Sequence, residues 1–316
     1  MQRLIIRRAI GYVPTILFVT MFVFSFLLLL PLEPTALLVG TEEGATPERL
    51  EKFRKELGYD KPIPVQYVRW VKGVFTGDWG RSLRTRERIT VELRNRMVPT
   101  LELAIGSWLV TILVALPVGI YSAARPNTVG DNTGTVFAIA GVALPNFWFA
   151  ILMIYLFGVI LGWLPTNGYV SPWVDPVENL RRMIMPVIVA GTSSVASIMR
   201  QTRSAMLEVL REDYVRTAHA KGLSEQKVLI RHALRNGLIP VVTIMGFQIA
   251  NLLGGAAVVE TIFNIPGLGQ FAIQGAILVD IPVVQGVLLV FGTSVVLVNF
   301  GIDILYAFLD PRVRYT

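Results

Sequence analysis

Residues 212–240 read EDYVRTAHAKGLSEQKVLIRHALRNGLIP. The stretch is charged, helix-forming and bounded on both sides by apolar sequence. Gly222 supplies the left-handed conformation that ends helices, and Ser224 is a natural N-cap for the next one. The stretch therefore reads as two helices in a hairpin, with the chain returning to an apolar phase at Pro240. Met206, Leu210, Tyr214 and Ala218 recur at i+4 and make one apolar stripe. Glu212 and Arg216 make a helix-supporting pair on another side. The first helix then narrows to Thr217-Ala218-His219-Ala220-Lys221-Gly222, whose small side chains suit insertion into a groove. Beyond the turn, Lys227, Arg231 and Arg235 form a row of like charges. Such a row weakens a helix slightly unless it faces acidic headgroups or an acidic partner. A docking element and an ordinary solvated hairpin both fit these spacings.

The flanking sequence decides the class. Of 316 residues, 53% are hydrophobic and only 16% charged, with a mean hydropathy of +0.58. Soluble domains carry about a quarter charged residues. Residues 9–30 and 103–124 hold no charge, and both runs exceed the ~20 residues that cross a bilayer. This is the composition of an integral, all-α membrane protein. The first run is longer than a secretory h-region and is followed by Pro31-Leu32-Glu33-Pro34, so it reads as an uncleaved anchor. The net charge of +7 is explained by cations flanking the spans rather than by nucleic acid. The chain has no cysteine, which excludes disulfides and thiol chemistry. His219 and His232 both lie in the charged loop without a carboxylate cluster, so no metal site is expected.

Six spans are expected, at about 9–31, 100–124, 134–162, 183–203, 238–260 and 283–308. No charged residue occurs from Asn132 to Val174, too long a run for one straight helix; Pro145-Asn146 is expected to break it into a tilted or re-entrant piece. The fourth span is rich in small residues (Ala190, Gly191, Ser193, Ser194, Ala196, Ser197), which let helices approach closely, and is expected inside the bundle. Arg3, Arg7 and Arg8 precede span one, Arg125 follows span two, and Arg312 and Arg314 close the chain. Residues 200–236 carry eight Lys/Arg against four Asp/Glu. The positive-inside rule puts all of these, and both termini, in the cytoplasm. Residues 32–98 are also cation-rich but must lie outside, being long enough to escape that rule.

The outer segment reads as structured. Thr46-Pro47 is a helix start, Leu50, Phe53 and Leu57 share a face, Glu48–Lys52 and Glu51–Lys55 are i,i+4 pairs, and Gly58 is a C-cap. A second helix is expected over 65–75, ending at Gly77-Asp78-Trp79-Gly80. A folded cap and a linker that buttresses the bundle are equally consistent with this. The expected organisation is an N-terminal tail and first span (1–31), an extracytoplasmic helical segment (32–98) and a core of five spans (99–316) that includes the cytoplasmic loop 204–237.

Ionisable residues inside spans are functional candidates. Here they are Glu102 and Glu260, placed near membrane faces and able to reach water, and Asp303 with Asn299 one turn before it. For each, an interfacial or helix–helix polar contact is the default reading. The chain has no H-E-x-x-H, G-x-S-x-G or G-x-x-x-x-G-K-[ST] and no histidine within a span, so neither a catalytic site nor nucleotide binding is expected. A stand-alone channel or secondary transporter is a distant alternative; internal repeats and several midplane polar residues are not evident.

The charged loop resembles the cytoplasmic coupling loop of the inner-membrane subunits of binding-protein-dependent ABC importers. The whole chain is similar to their dipeptide/oligopeptide permease branch. Tyr214-Val215-Arg216-Thr217-Ala218, Ala220-Lys221-Gly222-Leu223, His232-Ala233-Leu234-Arg235-Asn236 and Ile239-Pro240 carry the resemblance in the loop. Elsewhere it rests on Leu57-Gly58-Tyr59-Asp60-Lys61-Pro62, Gly77-Asp78-Trp79-Gly80, Pro99-Thr100-Leu101-Glu102-Leu103, Phe263-Asn264-Ile265-Pro266-Gly267-Leu268-Gly269 and Asp310-Pro311. The Glu-Ala-Ala that names the general loop aligns with Arg216-Thr217-Ala218, and the gap from Gly222 to Pro240 is longer, as in the peptide branch.

The resemblance implies the type I ABC importer permease fold, in the inner membrane as a multi-pass subunit. It implies a second homologous permease, two ATPase subunits that bind ATP and Mg, and an extracytoplasmic binding protein; this chain would bind no cofactor itself. Tyr214, Arg216, Thr217, Ala218, Ala220, Lys221, Gly222 and Leu223 would couple to an ATPase. Gln248, Asn251 and Gly255, near one face of span five, are candidates to line the path. The turn Pro266, Gly267, Leu268 and Gly269 is a candidate for binding-protein docking. Peptides are the expected substrate; glutathione, nickel chelates and oligosaccharides are the alternatives within the family.

Overall fold

The computed structural model describes residues 2–28, 51, 55, 58 and 60–309. Its long elements are α1 (Gln2–Leu28), α2 (Ile63–Thr76), α3 (Ile89–Ala124), α4 (Val129–Ala143) and α5 (Asn146–Met153), which continues as a π-helical segment Ile154–Ile160. There follow α6 (Pro176–Leu210), α7 (Asp213–Ala220), α8 (Glu225–Lys227), a second π-helical segment Val228–Ala233, α9 (Leu234–Gly255), α10 (Ala257–Ile262), α11 (Leu268–Ile277) and α12 (Ile281–Leu309). Two compact units divide the chain, residues 1–98 with 266–300 and residues 99–265 with 301–316.

Among the described residues, five helices are long and apolar enough to cross a membrane, and a sixth crossing is made if one bent pair counts as a span. That pair, Val129–Gly141 and Asn146–Ile160, turns by 101° where Pro145 removes a backbone donor. This is the expected break in the long uncharged run. Pro99, Pro117, Pro186 and Pro240 lie inside helices, so Pro240 is an interior residue of α9 rather than its start.

In the first unit, α1 packs on α2. Phe24 meets Tyr67 edge-on at 5.5 Å between ring centroids, Trp70 lies at 5.9 Å, and the Thr20 and Tyr67 hydroxyls are 2.9 Å apart. α2 runs from Ile63 to Thr76, close to expectation, and ends on Gly77 at φ 82° with Asp78 N–H donating to the Gly73 carbonyl. A core of Ile89, Leu93, Leu268, Phe271, Val283 and Val287 joins the start of α3 to α11 and α12. Of the expected helix over 46–58, the Glu51–Lys55 pair (3.0 Å) and Gly58 at φ 74° are described. Thr46, Pro47, Glu48, Leu50, Lys52, Phe53, Leu57 and Tyr59, like Asp310, Pro311, Arg312 and Arg314, lie outside the described residues.

In the second unit α6 is central. In its most apolar window 56% of residues are buried, against 17% for α1, as its small residues foretold. Gly191 sits where an added Cβ would come within 2.9 Å of the Ser107 carbonyl oxygen, and one on Gly119 within 2.8 Å of the Met199 oxygen. Backbones this close need glycine. α6 also packs along α4 and α9.

Most of the large polar groups inside this unit find partners, because lipid supplies none; the small hydroxyls of Ser107 and Ser122 are buried without one among the described residues. Trp108 donates to the Met245 carbonyl, and Thr111 to those of Ser107 and Gly191. Glu260 is fully buried and does not reach water within the chain; it accepts from the Thr100 hydroxyl at 2.7 Å. Glu102 accepts from the Tyr169 hydroxyl (2.8 Å) and the Asn179 amide (3.2 Å). Burial first, and then the Glu102 carboxylate, push Tyr169 above the usual tyrosine range, so it stays the donor.

An ion pair fixes the start of α4 to the lower part of α6. Asp131, 2% exposed, receives Arg203 through two contacts, Nε to Oδ1 at 2.9 Å and Nη2 to Oδ2 at 2.8 Å. Asn127 N–H adds a third at 3.0 Å. Such a forked contact is specific to arginine. Arg203→Ala is expected to destabilise by about 1.5–3 kcal/mol, and Arg203→Lys to recover only part of that. Apparent melting temperatures in detergent should fall in the order wild type, Lys, Ala; equal values would show that the pair contributes nothing.

Candidate functional site

The charged loop is the element whose shape is least explained by span packing alone. α6 stops at Leu210, and Glu212 is extended (φ −68°, ψ 147°), so the chain turns before α7 begins. α7 ends at Ala220; Gly222 follows at φ 76°, and Ser224 takes the N-cap position of α8. The helix–glycine–helix reading of the sequence describes this correctly.

The apolar face of α7 differs from the expected stripe. The break at 211–212 resets the helical phase, so Tyr214 is 41% exposed and the residues turned inward are Val215 and Ala218. These two bury against Val228, with Val209, Leu210 and Leu223 packed round them. Arg216 pairs with Asp213 at 3.4 Å rather than with Glu212, which sits at the cap. Both partners of that pair are largely exposed, so it adds little. An isolated helix this short is marginal in water. Burial of Val215 and Val228, about 1.5–3 kcal/mol each, is therefore what holds α7 in place.

A second cluster carries the connection inward. Ala123, Met206 and Ala233 are buried together, with Ile120, Leu207, Leu210, Leu229 and Leu234 around them. The loop is thus joined to the ends of α3 and α6 and the beginning of α9. Asn236 Nδ2 donates to the Tyr214 hydroxyl at 2.9 Å, a further tie between α7 and α9. Outward, α7 and its turn show Arg216, Thr217, His219, Ala220, Lys221 and Gly222, all exposed. The presented surface is small-sided and cationic on a buried apolar base. Lys227, Arg231 and Arg235 are exposed as well, the first two flanking or within the π-helical stretch.

The other candidate residues are placed less distinctively. Gln248 is half-buried and its Oε1 accepts from the Ser194 hydroxyl at 3.2 Å, a contact between α9 and α6. Asn251 is exposed and Gly255 ends α9. In the 266–269 turn only Pro266 is exposed; Gly267 and Gly269 are buried and Leu268 is 1% exposed in the core with Ile89 and Leu93. Among the described residues no group of three or more His, Asp or Glu is placed to hold a metal ion. Sequence spacing did not single out Val215, Val228, Asp131 or Arg203. The i,i+3 relation of Val215 and Ala218 was the available signal for the first.

Comparison with known proteins identifies the family and the fold. A family described as binding-protein-dependent transport system inner membrane component matches residues 115–315, and its N-terminal counterpart matches residues 1–104. A putative peptide transport system permease protein of Brucella abortus is 40% identical over 316 residues, covering all of both chains. A glutathione transport system permease protein of Salmonella paratyphi A is also 40% identical over the full length of both. The dipeptide transport system permease protein of Escherichia coli K12 is 38% identical over 338 residues, covering all of this chain and 99% of its own. Among solved structures, the inward-facing MetNI methionine ABC transporter matches with a TM-score of 0.57 at 19% identity, over 69% of this chain and 96% of that one. That match establishes the fold.

Val215→Asp should free α7, because a carboxylate cannot be buried in the Val209–Leu210–Val228 cluster without a partner. Tyr214→Phe removes one exposed hydrogen bond, worth about 1 kcal/mol or less. Limited proteolysis should cut within 211–224 much faster in the first variant and at near wild-type rate in the second. Equal rates in the two would show that the apolar contact does not hold the helix.

Proposed function

The chain belongs to the binding-protein-dependent transport system inner membrane component family, and from that premise we propose the part it plays in an ATP-driven importer of peptides. It is a multi-pass inner-membrane permease subunit. The observation that carries the peptide reading is full-length similarity at about 40% identity to peptide permeases. The glutathione permease relative fits the same reading, since glutathione is itself a short peptide. Selection among peptides falls to the soluble binding protein that delivers them.

In this reading a second homologous permease completes the path, and two ATPase subunits below the membrane bind ATP and Mg. The chain itself holds no catalytic site. Both termini and the 204–237 loop lie in the cytoplasm, which accords with the cations at 3–8, 125 and 200–236. The exposed face of α7, from Tyr214 to Gly222 with Leu223 at its base, sits in a groove of an ATPase. When ATP draws the two ATPases together, α7 moves as a lever. Its buried cluster passes that motion to α6 and α9, and the bundle switches between inward-open and outward-open states. Gln248, Asn251 and Gly255 contribute to the path.

Gly222 provides a graded test. Its φ of 76° is strained for most side chains, although open space surrounds the position of an added Cβ. Asn tolerates this conformation and should keep uptake near normal. Arg adds strain of about 1–2 kcal/mol and bulk at the contact, and should uncouple ATP hydrolysis from uptake. Co-purification of both ATPases with wild type, and ATP-dependent peptide uptake in cells, check this. Full uptake by Gly222→Arg with its ATPases attached would refute the lever.

A further inference from the structure

Residues 78–88, DWGRSLRTRER, join α2 to α3, and the function proposed above gives residues 81–88 no part. The segment is a compact hairpin. Ser82 N–H donates to the Glu87 carbonyl (2.9 Å), Arg86 N–H to Ser82 (3.1 Å) and Ile89 N–H to Gly80 (3.1 Å), with an antiparallel bridge between Arg81 and Arg88. Its inner side is clamped to Asp280. That carboxylate is 3% exposed and accepts from the Ser82 hydroxyl, from Leu83 N–H at 3.1 Å and from Arg84 N–H at 3.4 Å. The Ser82 oxygen in turn accepts from Arg84 N–H (3.2 Å) and Thr85 N–H (3.0 Å). Leu83 is 6% exposed.

The outer side shows Arg81, Arg84, Arg86 and Arg88, all exposed, against two exposed acids, Asp78 at the start of the segment and Glu87. Arg81 Nη1 donates to the Arg86 carbonyl and Arg84 Nε to the Leu278 carbonyl. Those contacts orient the stems without cancelling charge. Among the described residues no carboxylate forms an ion pair with Arg81, Arg84 or Arg88. Arg86 (φ 62°) and Val279 (φ 54°) both hold left-handed backbone, which costs a non-glycine residue about 1–2 kcal/mol. A buried carboxylate and two strained residues thus keep a cationic loop in one shape, as a pre-organised contact surface requires.

We infer that this loop is the surface on which an acidic face of the soluble binding protein lands. The inference rests on the importer reading and on the outward placement of residues 32–98. The positive-inside rule gives cations no role on the outer side, so four of them need another explanation. All four are arginine, whose planar fork pairs with carboxylates through two bonds. A bilayer surface is the weaker fit. Membrane-surface elements combine cations with apolar side chains that sink into the headgroup boundary; within residues 81–88 the large apolar side chain, Leu83, is buried in the protein, and the exposed Ile277 and Leu278 belong to the neighbouring end of α11. Opposite charge at such a site steers encounter, so its signature is in the association rate.

The test uses the intact complex in nanodiscs with its own binding protein. The triple variant Arg84→Glu, Arg86→Glu, Arg88→Glu should slow association about tenfold or more at low salt. It should also flatten the fall in rate between about 50 and 300 mM salt, and leave ATPase activity without binding protein unchanged. If the triple variant does not assemble, Arg88→Glu alone should slow association about twofold to threefold. Unchanged rates in whichever variant assembles overturn the inference, as does an effect that appears only when zwitterionic nanodiscs are replaced by anionic ones, the mark of a lipid surface. Wild-type complex that binds no binding protein would instead refute the importer reading. Arg88→Cys, the one cysteine in this chain, should react with a membrane-impermeant maleimide on cells with a permeable outer barrier and an intact inner membrane; reaction only after that membrane is broken would overturn the outward placement and the inference with it.

Discussion

An eight-residue helix does not hold itself together in water, so α7 exists because Val215 and Ala218 are buried against Val228 and Leu210. That contact decides which side of the loop faces out. It leaves Arg216, Thr217, Ala220 and Lys221 exposed on a base continuous with the ends of α3, α6 and α9.

Above the loop, the same economy of polar contacts recurs. Lipid cannot satisfy a buried donor or charge, and the second unit answers with pairs inside the protein: Asp131 with Arg203, Glu260 with Thr100, Glu102 with Tyr169 and Asn179. Glycines at 119 and 191 let the backbones of α3 and α6 approach closely. Gln248 belongs to this set through Ser194, a polar contact between two helices of the bundle.

The fold was legible where local chemistry decides. Uncharged runs gave the spans, Pro145 the 101° break, small residues the burial of α6, and Gly222 and Ser224 the hairpin. The inward face of α7 was not legible, because i+4 counting assumes one unbroken helix and residues 211–212 interrupt it. Nor was the burial of Glu260 or of the 267–269 turn, since both depend on side chains distant in sequence, Thr100 in one case and Ile89 and Leu93 in the other. The Asp131–Arg203 pair spans 72 positions and leaves no local trace. Long-range pairing of this kind is a property of packing, and a single sequence carries no periodic mark of it.

The central claim is that the outward face of α7 touches an ATPase. Because the chain has no cysteine, one can be placed at Ala220 and another, separately, at Lys61 on the segment assigned to the opposite side of the membrane. Each would be treated with a short bifunctional thiol reagent in membranes that hold the complete complex with a cysteine in the ATPase groove. The account predicts a permease–ATPase crosslink from Ala220→Cys and none from Lys61→Cys. Failure of Ala220→Cys and its neighbours on α7 to crosslink, in a complex that still hydrolyses ATP and imports peptide, would contradict it.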